Sequence, residues 1–475
     1  MAATPPGPGK PFPIPALGPA GDYHAKVRIP VADVAGHTVA ELSQVPPLFV
    51  DRSLRAQRRA EAVPAEERAE LFARAARLFA AGAPDGRTPQ EYQYLVSRVG
   101  GLPLAEVRAA TAAVAARLAA VPDSAGRARP VGALDPEDTG RALRAPDRAG
   151  LSEGRAVWAR RGELFAVHAA GNHPGTHTYW PEALALGYRV AVRPSSRDPF
   201  TPHRLISALR AAGLPDAHAT LLPTAHAHAE TLLRGADLAM VYGGEEVARR
   251  YGADAKVLMQ GPGRSKILVT ADCDWRAYLD VIASSIADHA GTGCVNATAV
   301  FVQGDASGLC AALAERFAAL PSLPPQDEKA VLPVAPAASA RAIAAHLGRA
   351  ARFARPWLGA DTVVDELGDG SAVLRPAVHQ VEDPADPALR TELPFPCVWV
   401  APWSPDAGLA PLRETLVLTA LTRDAALTAR LLAEPSIANL HVGAHPTHLI
   451  APGLPHDGFL GEFLMRSKSA RLSTM

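Results

Sequence analysis

The sequence predicts an α/β protein built on doubly wound, largely parallel sheets with helices on both faces. Two stretches carry that prediction. From about Arg155, short apolar runs (LFAVHAA, RVAVRP, ATLLP, DLAMVYGG, KVLMQG, KILVT) alternate with helical patterns (HRLISALRAAG, AHAETLLRG, EEVARRYG). After Cys294 a second alternation follows: TAVFVQG, a helix over 307–319, a helix through ARAIAAHLGRAARFA, then TVVDE, SAVLRP and CVWVAP. Near-continuous apolar runs of this length are what strands buried on both faces require, and the intervening helices supply the cover. A chain of 475 residues also suggests roughly three folding units.

Taken in order, residues 1–50 read as a Pro/Gly-rich N-terminal arm. Residues 51–270 read as one α/β domain with a helical N-terminal part. Within it, 51–81 is helical, because Leu71, Phe72, Ala75, Leu78 and Phe79 recur at three- and four-residue spacing and Gly82 stops the run. LAEVRAATAAVAARLAAV predicts a second helix ending before Pro122, followed by a long loop over 122–150. Residues 271–435 read as a second α/β domain, opened by the helix WRAYLDVIASSIADHAG, and 436–475 as a separate tail.

Composition narrows the function. Lys+Arg and Asp+Glu both number 48, so the net charge is zero and a nucleic-acid partner is not expected. The 4 cysteines are far apart with no CxxC pair, which argues against both a disulfide framework and a thiolate metal site; no metal is expected. The N-terminus lacks a basic segment followed by an apolar one, and no run of about 18 apolar residues occurs, so neither a signal peptide nor a membrane span is expected. The compartment is read as the cytoplasm.

Three segments carry chemistry. Cys294 lies in HAGTGCVNATAVFV, between a helix and an apolar strand, where Gly291 and Gly293 let another group approach closely. A thiolate there attacks carbonyls and thioesters; a cysteine packed as a small hydrophobe is the alternative. Asn172, in VHAAGNHPG, follows a strand, where its amide can donate to a developing oxyanion or simply form a turn. The strand RVAVRPSS ends in Arg193, Pro194, Ser195 and Ser196, a cation and two hydroxyls able to grip a ribose or phosphate. His289 is read either as an aid to ionising Cys294 or as a packed histidine. His441, His445 and His448 share helical spacing but are interrupted by Pro446, and are read as scattered histidines.

In order along the chain, AAGNHPG, VRPSSRDPF, GLP (213–215), VYGGEE, the Gly-flanked cysteine and ELPFP (392–396) resemble the aldehyde dehydrogenase superfamily. The resemblance is clearest over residues 160–305, and its motifs look most like those of acyl-thioester reductases of the fatty-acid-reductase type. The cysteine context GTGCVN departs from that subgroup. The resemblance implies an aldehyde dehydrogenase-like fold: a doubly wound cofactor domain, a catalytic domain, and an oligomerisation element near 125–160 and within 440–475. It implies that Cys294 is the nucleophile and that Asn172, with the Cys294 backbone N–H, forms the oxyanion hole. It places Arg193, Pro194, Ser195, Ser196, Gly243, Gly244, Glu246, Gly261, Glu392 and Phe395 around a nicotinamide cofactor. Ser196 stands where NAD-preferring members often carry a glutamate, so NADP is favoured over NAD.

One departure directs the functional expectation. The family's oxidising members have Glu-Leu-Gly-Gly where this chain has Leu258-Met259-Gln260-Gly261-Pro262-Gly263. The missing glutamate is the base that activates water, so an acyl-cysteine survives long enough to exchange with a thiol. The expected reaction is NAD(P)H-dependent reduction of an acyl-CoA or acyl-carrier-protein thioester to an aldehyde, or its reverse, by a homodimer or homotetramer. The alternatives are an aldehyde dehydrogenase releasing a free acid and a catalytically degenerate scaffold that docks a carrier protein.

Overall fold

Two seven-stranded sheets organise the chain. A computed structural model describes residues 11–135, 154–451 and 453–471. In the first sheet the strands Val257–Gln260, Leu238–Tyr242, Leu164–His168, Arg189–Arg193 and Ala219–Leu221 are adjacent in that order and parallel. Phe165, Val167, Val190, Val192 and Met240 on these strands are fully buried, which explains their unbroken apolar sequence. The second sheet runs Arg355–Leu358, Ala377–Gln380, Cys397–Pro402, Ala297–Val302, Ser265–Val269, Thr415–Leu421 and Ile437–Val442. All its neighbours are parallel except the first pair.

Several sequence expectations are corrected. Residues within 1–50 are more than an arm: Ala16–Gly18 and Gly21–Tyr23 extend the first sheet by antiparallel pairing, and Phe12–Ile14, Arg28–Ala32 and Thr38–Ser43 form a three-stranded sheet. The 51–81 helix is two helices, Pro47–Arg59 and Ala65–Ala81, separated by a break that ends at Pro64. The next long helix, Leu104–Ala125, continues past Pro122, because a proline in the last turn removes only one hydrogen bond. The second sheet does not stop at 435, since Ile437–Val442 is its edge strand. The terminal strand Met465–Ala470 pairs antiparallel with Arg155–Arg160, so the two segments expected to form the oligomerisation element do join. Part of the first of these, residues 136–153, lies outside the described residues. Among the described residues, no helix is long and apolar enough to cross a membrane.

The helical layer is held by one buried cation. Arg204, on the helix Phe200–Ala211, is fully buried. It donates to the carbonyls of Phe79, Gly82 and Arg87 and to the Asp85 carboxylate (2.7 Å). It thereby satisfies orphan carbonyls at the C-terminus of Ala65–Ala81 and ties that helix to the first sheet's cover.

Candidate active site

Between the two sheets lies a cleft of about 630 Å³. Tyr242 and Gln260, at the ends of two parallel strands of the first sheet, line it, as do Ala297 and Cys397, at the starts of two strands of the second. The carboxyl ends of parallel strands are where a doubly wound sheet leaves its loops free to bind.

Cys294 lines the cleft, partly exposed to it. Its loop is fixed from three sides. Asn296 accepts from the Gly293 N–H (2.9 Å) and donates to the carbonyls of Ser285 (3.1 Å) and Asp288 (2.8 Å), sewing the loop to the end of the helix Leu279–Ala287. Ser265 Oγ donates to the Cys294 carbonyl (3.0 Å). Gly263 lies so close that a Cβ there would stand 2.0 Å from the same carbonyl oxygen. Gly263→Ala therefore has to displace the Cys294 loop; we expect about a hundredfold loss of turnover together with a lower melting temperature, measured by steady-state assay beside a melting curve.

Asn172 also lines the cleft, and its Nδ2 donates to the Thr292 carbonyl (2.9 Å) in the cysteine loop. That bond brings the amide beside the loop of Cys294, and an amide nitrogen has a second hydrogen to offer an oxyanion. Burial, then the charge of Glu392, push the Cys294 thiol up to about 12. The resting sulfur is thus a thiol. His456, which local sequence did not single out, places Nε2 3.8 Å from Cys294 Sγ. Burial pushes this imidazole down to about 4, so it rests neutral.

Of the residues expected around a cofactor, Ser195, Gly243, Gly244, Gly261, Glu392 and Phe395 line the cleft. Arg193, Pro194, Ser196 and Glu246 are not among its lining residues. Arg193 turns its Nε to Thr224 (3.1 Å to Oγ1), Pro194 is buried, and Ser196 and Glu246 are exposed. Arg197, not anticipated, lines the cleft beside Ser195. Glu392 accepts from the Arg264 N–H (2.6 Å), and burial raises its carboxyl.

His289 does not reach Cys294 in the hydrogen-bond network. It bonds Glu106 through Nδ1 (2.7 Å), and His173 bonds the same carboxylate oxygen through Nε2 (2.9 Å). Both His289 and the following Ala290 take left-handed backbone angles (φ 56° and 57°), a costly conformation that this clasp helps to hold. His441 and His448 make separate contacts, with the Pro446 carbonyl and with Asp288. Burial opposes the charge on Glu106, but the hydrogen bonds from His173 and His289 outweigh it and hold the carboxyl below its ordinary range. Burial likewise opposes the His289 charge, and the bond to Glu106 outweighs it and raises that imidazole. A lowered acid stabilises the fold above its ordinary pKa and stops doing so as pH falls through the lowered value; a raised imidazole stabilises below its ordinary pKa and stops as pH rises through the raised value. The clasp is therefore strongest between about pH 5 and 6.5. Glu106→Gln should cost about 2 kcal/mol in that window and less at higher pH. Denaturant melts of both proteins across pH check this; a difference independent of pH would refute it.

The arrangement is a cleft between two α/β layers with a cysteine thiol in its wall. The aldehyde dehydrogenase family model matches residues 172–408, and the chain belongs to the aldehyde dehydrogenase superfamily. It is 29% identical over 168 residues to the aldehyde-dehydrogenase-like protein y4uC of Sinorhizobium fredii, covering 33% of this chain and 32% of that one. It is 28% identical over 177 residues to aspartate-semialdehyde dehydrogenase 1 of Pseudomonas canavaninivorans, covering 35% and 37%. The matches thus span about a third of each curated relative. Solved structures match along the whole chain. An aldehyde dehydrogenase from Brucella melitensis biovar abortus 2308 gives a TM-score of 0.78 at 18% identity, covering 100% of both chains. An NAD-dependent aldehyde dehydrogenase from Sinorhizobium meliloti gives 0.80 at 17%, covering 98% and 96%. An NADP-dependent enzyme from E. coli gives 0.77 at 18%, covering 96% and 98%. Fold and site are consistent with an oxidoreductase acting on aldehydes.

Proposed function

We propose that this protein is an NAD(P)-dependent oxidoreductase that interconverts an acyl thioester and an aldehyde through an acyl group carried on Cys294. The observation that carries the reading is Gln260. It ends a strand of the first sheet and lines the same cleft as Cys294 and Asn172, within the segment Leu258–Gly263 that, by the resemblance, stands where oxidising members carry their water-activating glutamate. An amide cannot take a proton from water, so a thiol acceptor outcompetes hydrolysis.

The cleft suits a nicotinamide cofactor. Gln260 Nε2 is a buried donor with no partner among the described residues, and Gly244 leaves open space where a side chain would intrude. Ser195, Arg197, Gly243 and Gly244 would hold one part of the cofactor and Glu392 and Phe395 another. Bound there, it supplies or accepts the hydride. Ser196, which offers no carboxylate against a 2′-phosphate, supports NADP, with NAD as the alternative. In the reducing direction, Cys294 Sγ bonds the acyl carbon, Asn172 donates to the oxyanion, and the CoA or carrier-protein thiol leaves. The terminal strand pairing is the surface on which a homodimer or homotetramer would form.

A second reading, release of a free acid, is favoured by His456, a base within reach of the sulfur. Aldehyde oxidation with NAD(P)+, with and without CoA, separates the two. We expect turnover that requires the thiol; free acid formed at the same rate without it would refute the thioester reading. Gln260→Glu should raise acid release by tenfold or more, on the order of what a positioned base contributes. Product analysis by chromatography checks it, and unchanged acid release would count against Gln260 marking the base position.

A further inference from the structure

His456 and Cys294 are held against each other by the same backbone hub. The Leu416 N–H donates to the Gly263 carbonyl (2.8 Å), and Gly263 in turn packs on the Cys294 carbonyl. Asn439, on the edge strand Ile437–Val442, donates Nδ2 to the Leu416 carbonyl (2.9 Å) and to the His456 carbonyl. From the other side, Tyr179 Oη donates to the Gly458 carbonyl (2.7 Å), tying the histidine loop to the segment that follows Asn172. The 3.8 Å between Cys294 Sγ and His456 Nε2 is thus set by several bonds to the two flanking segments.

Burial and the charges around this pair disfavour a standing thiolate–imidazolium pair. Glu392 and Asp457 face Cys294, and both disfavour a negative sulfur. Burial and the charge of Arg117, on the helix Leu104–Ala125, disfavour a protonated His456. Catalytic cysteines usually depend on a nearby cation or helix terminus to hold a thiolate. Here, among the described residues, the side chain hydrogen-bonded to the sulfur is a neutral imidazole, and the backbone N–H groups of Cys294 and Val295 also favour a negative sulfur without overcoming burial. That combination suits a thiol that loses its proton only as it attacks.

We propose that His456 is a catalytic residue, the proton carrier for Cys294. The inference rests on the reading of Cys294 as an acyl-accepting nucleophile. His456 Nε2 takes the thiol proton as Sγ bonds the acyl carbonyl carbon. The oxyanion then collapses, the bond from that carbon to the donor sulfur breaks, and His456 gives the proton to the departing sulfur. The exchange is a transthioesterification: nothing is oxidised or reduced, and one proton moves from one thiol to another. His456 is in its Nδ1–H tautomer when it begins.

The test measures the sulfur without any substrate. The rate of Cys294 alkylation by iodoacetamide is followed across pH in the wild type, His456→Gln, His456→Asn and His456→Ala. We expect alkylation near neutral pH to slow by about tenfold or more in all three variants, the gap to close at high pH where the thiolate forms unaided, and added imidazole to restore His456→Ala. Melting curves show which variants remain folded, and any one that does is sufficient. Alkylation unchanged in a folded variant overturns the proposal. Acyl transfer from an acyl-CoA to Cys294, read by intact mass in the same variants, should slow by about a hundredfold. If the wild type takes up no acyl group while its alkylation depends on His456, the thioester reading fails and His456 stands as the base of Cys294.

Discussion

Cys294→Ala should abolish turnover, with a loss on the order of 10⁵-fold or more, the scale seen when a covalent nucleophile is removed. The substitution is gentle on the fold. Cys294 sits at the surface of the cleft, in a small cluster with Val295, Leu416 and Val417, and the bonds that shape its loop run through its backbone carbonyl, Gly293 and Asn296. Cofactor binding should survive, because the residues proposed to hold it lie on other segments. Steady-state assays beside cofactor titration test this. Residual turnover within tenfold of the wild type would show that the sulfur is not the nucleophile. Cys273 and Cys310 are buried and are not among the residues lining the cleft; Cys397 lines the cleft but is buried there.

Arg204→Met should destabilise the protein by about 3–5 kcal/mol, the cost of removing one partner from a buried ion pair. Arg204 has no exposed side-chain surface, and the Asp85 carboxylate it bonds is only 3% exposed. Without the guanidinium, Asp85 keeps among the described residues only Arg87 at 3.4 Å, and the carbonyls of Phe79, Gly82 and Arg87 lose this donor. Three backbone acceptors and one charge are stranded together, so a side chain of similar length cannot compensate. Denaturant unfolding of the variant measures the loss; a change below about 1 kcal/mol would mean that water or a rearranged Arg87 satisfies the same groups.

The strands were the most legible part of the sequence. Runs such as LFAVHAA and TAVFVQG are apolar on both faces because both faces are buried, and periodicity alone reveals that. Helix ends were harder. The helix Pro89–Gly100 begins with a full capping box, Thr88 with Glu91, a signal present in the sequence as T-x-x-E but set inside a weakly apolar stretch. Pro122 was read as a stop although a proline in a final turn costs little. The candidate site was legible where a motif borders a strand, after it for Asn172, Ser195 and Gly243 and before it for Cys294. It was not legible where residues meet only through tertiary packing. His456 is 162 positions from Cys294 and Glu106 is 183 from His289, and nothing local marks either pair. Arg193 and Arg197 show the finer limit: both flank one strand end, and only the turn between them decides which one lines the cleft.

The most direct test of the central claim is the fate of the acyl group on Cys294. Wild-type protein is incubated with an acyl-CoA in the absence of nicotinamide cofactor and followed by intact mass, then mixed with buffer alone or with a second thiol. The account predicts a single acyl adduct, absent in Cys294→Ala, that persists in buffer and is lost rapidly to the added thiol. An adduct that hydrolyses in buffer as fast as it leaves to the thiol would contradict it.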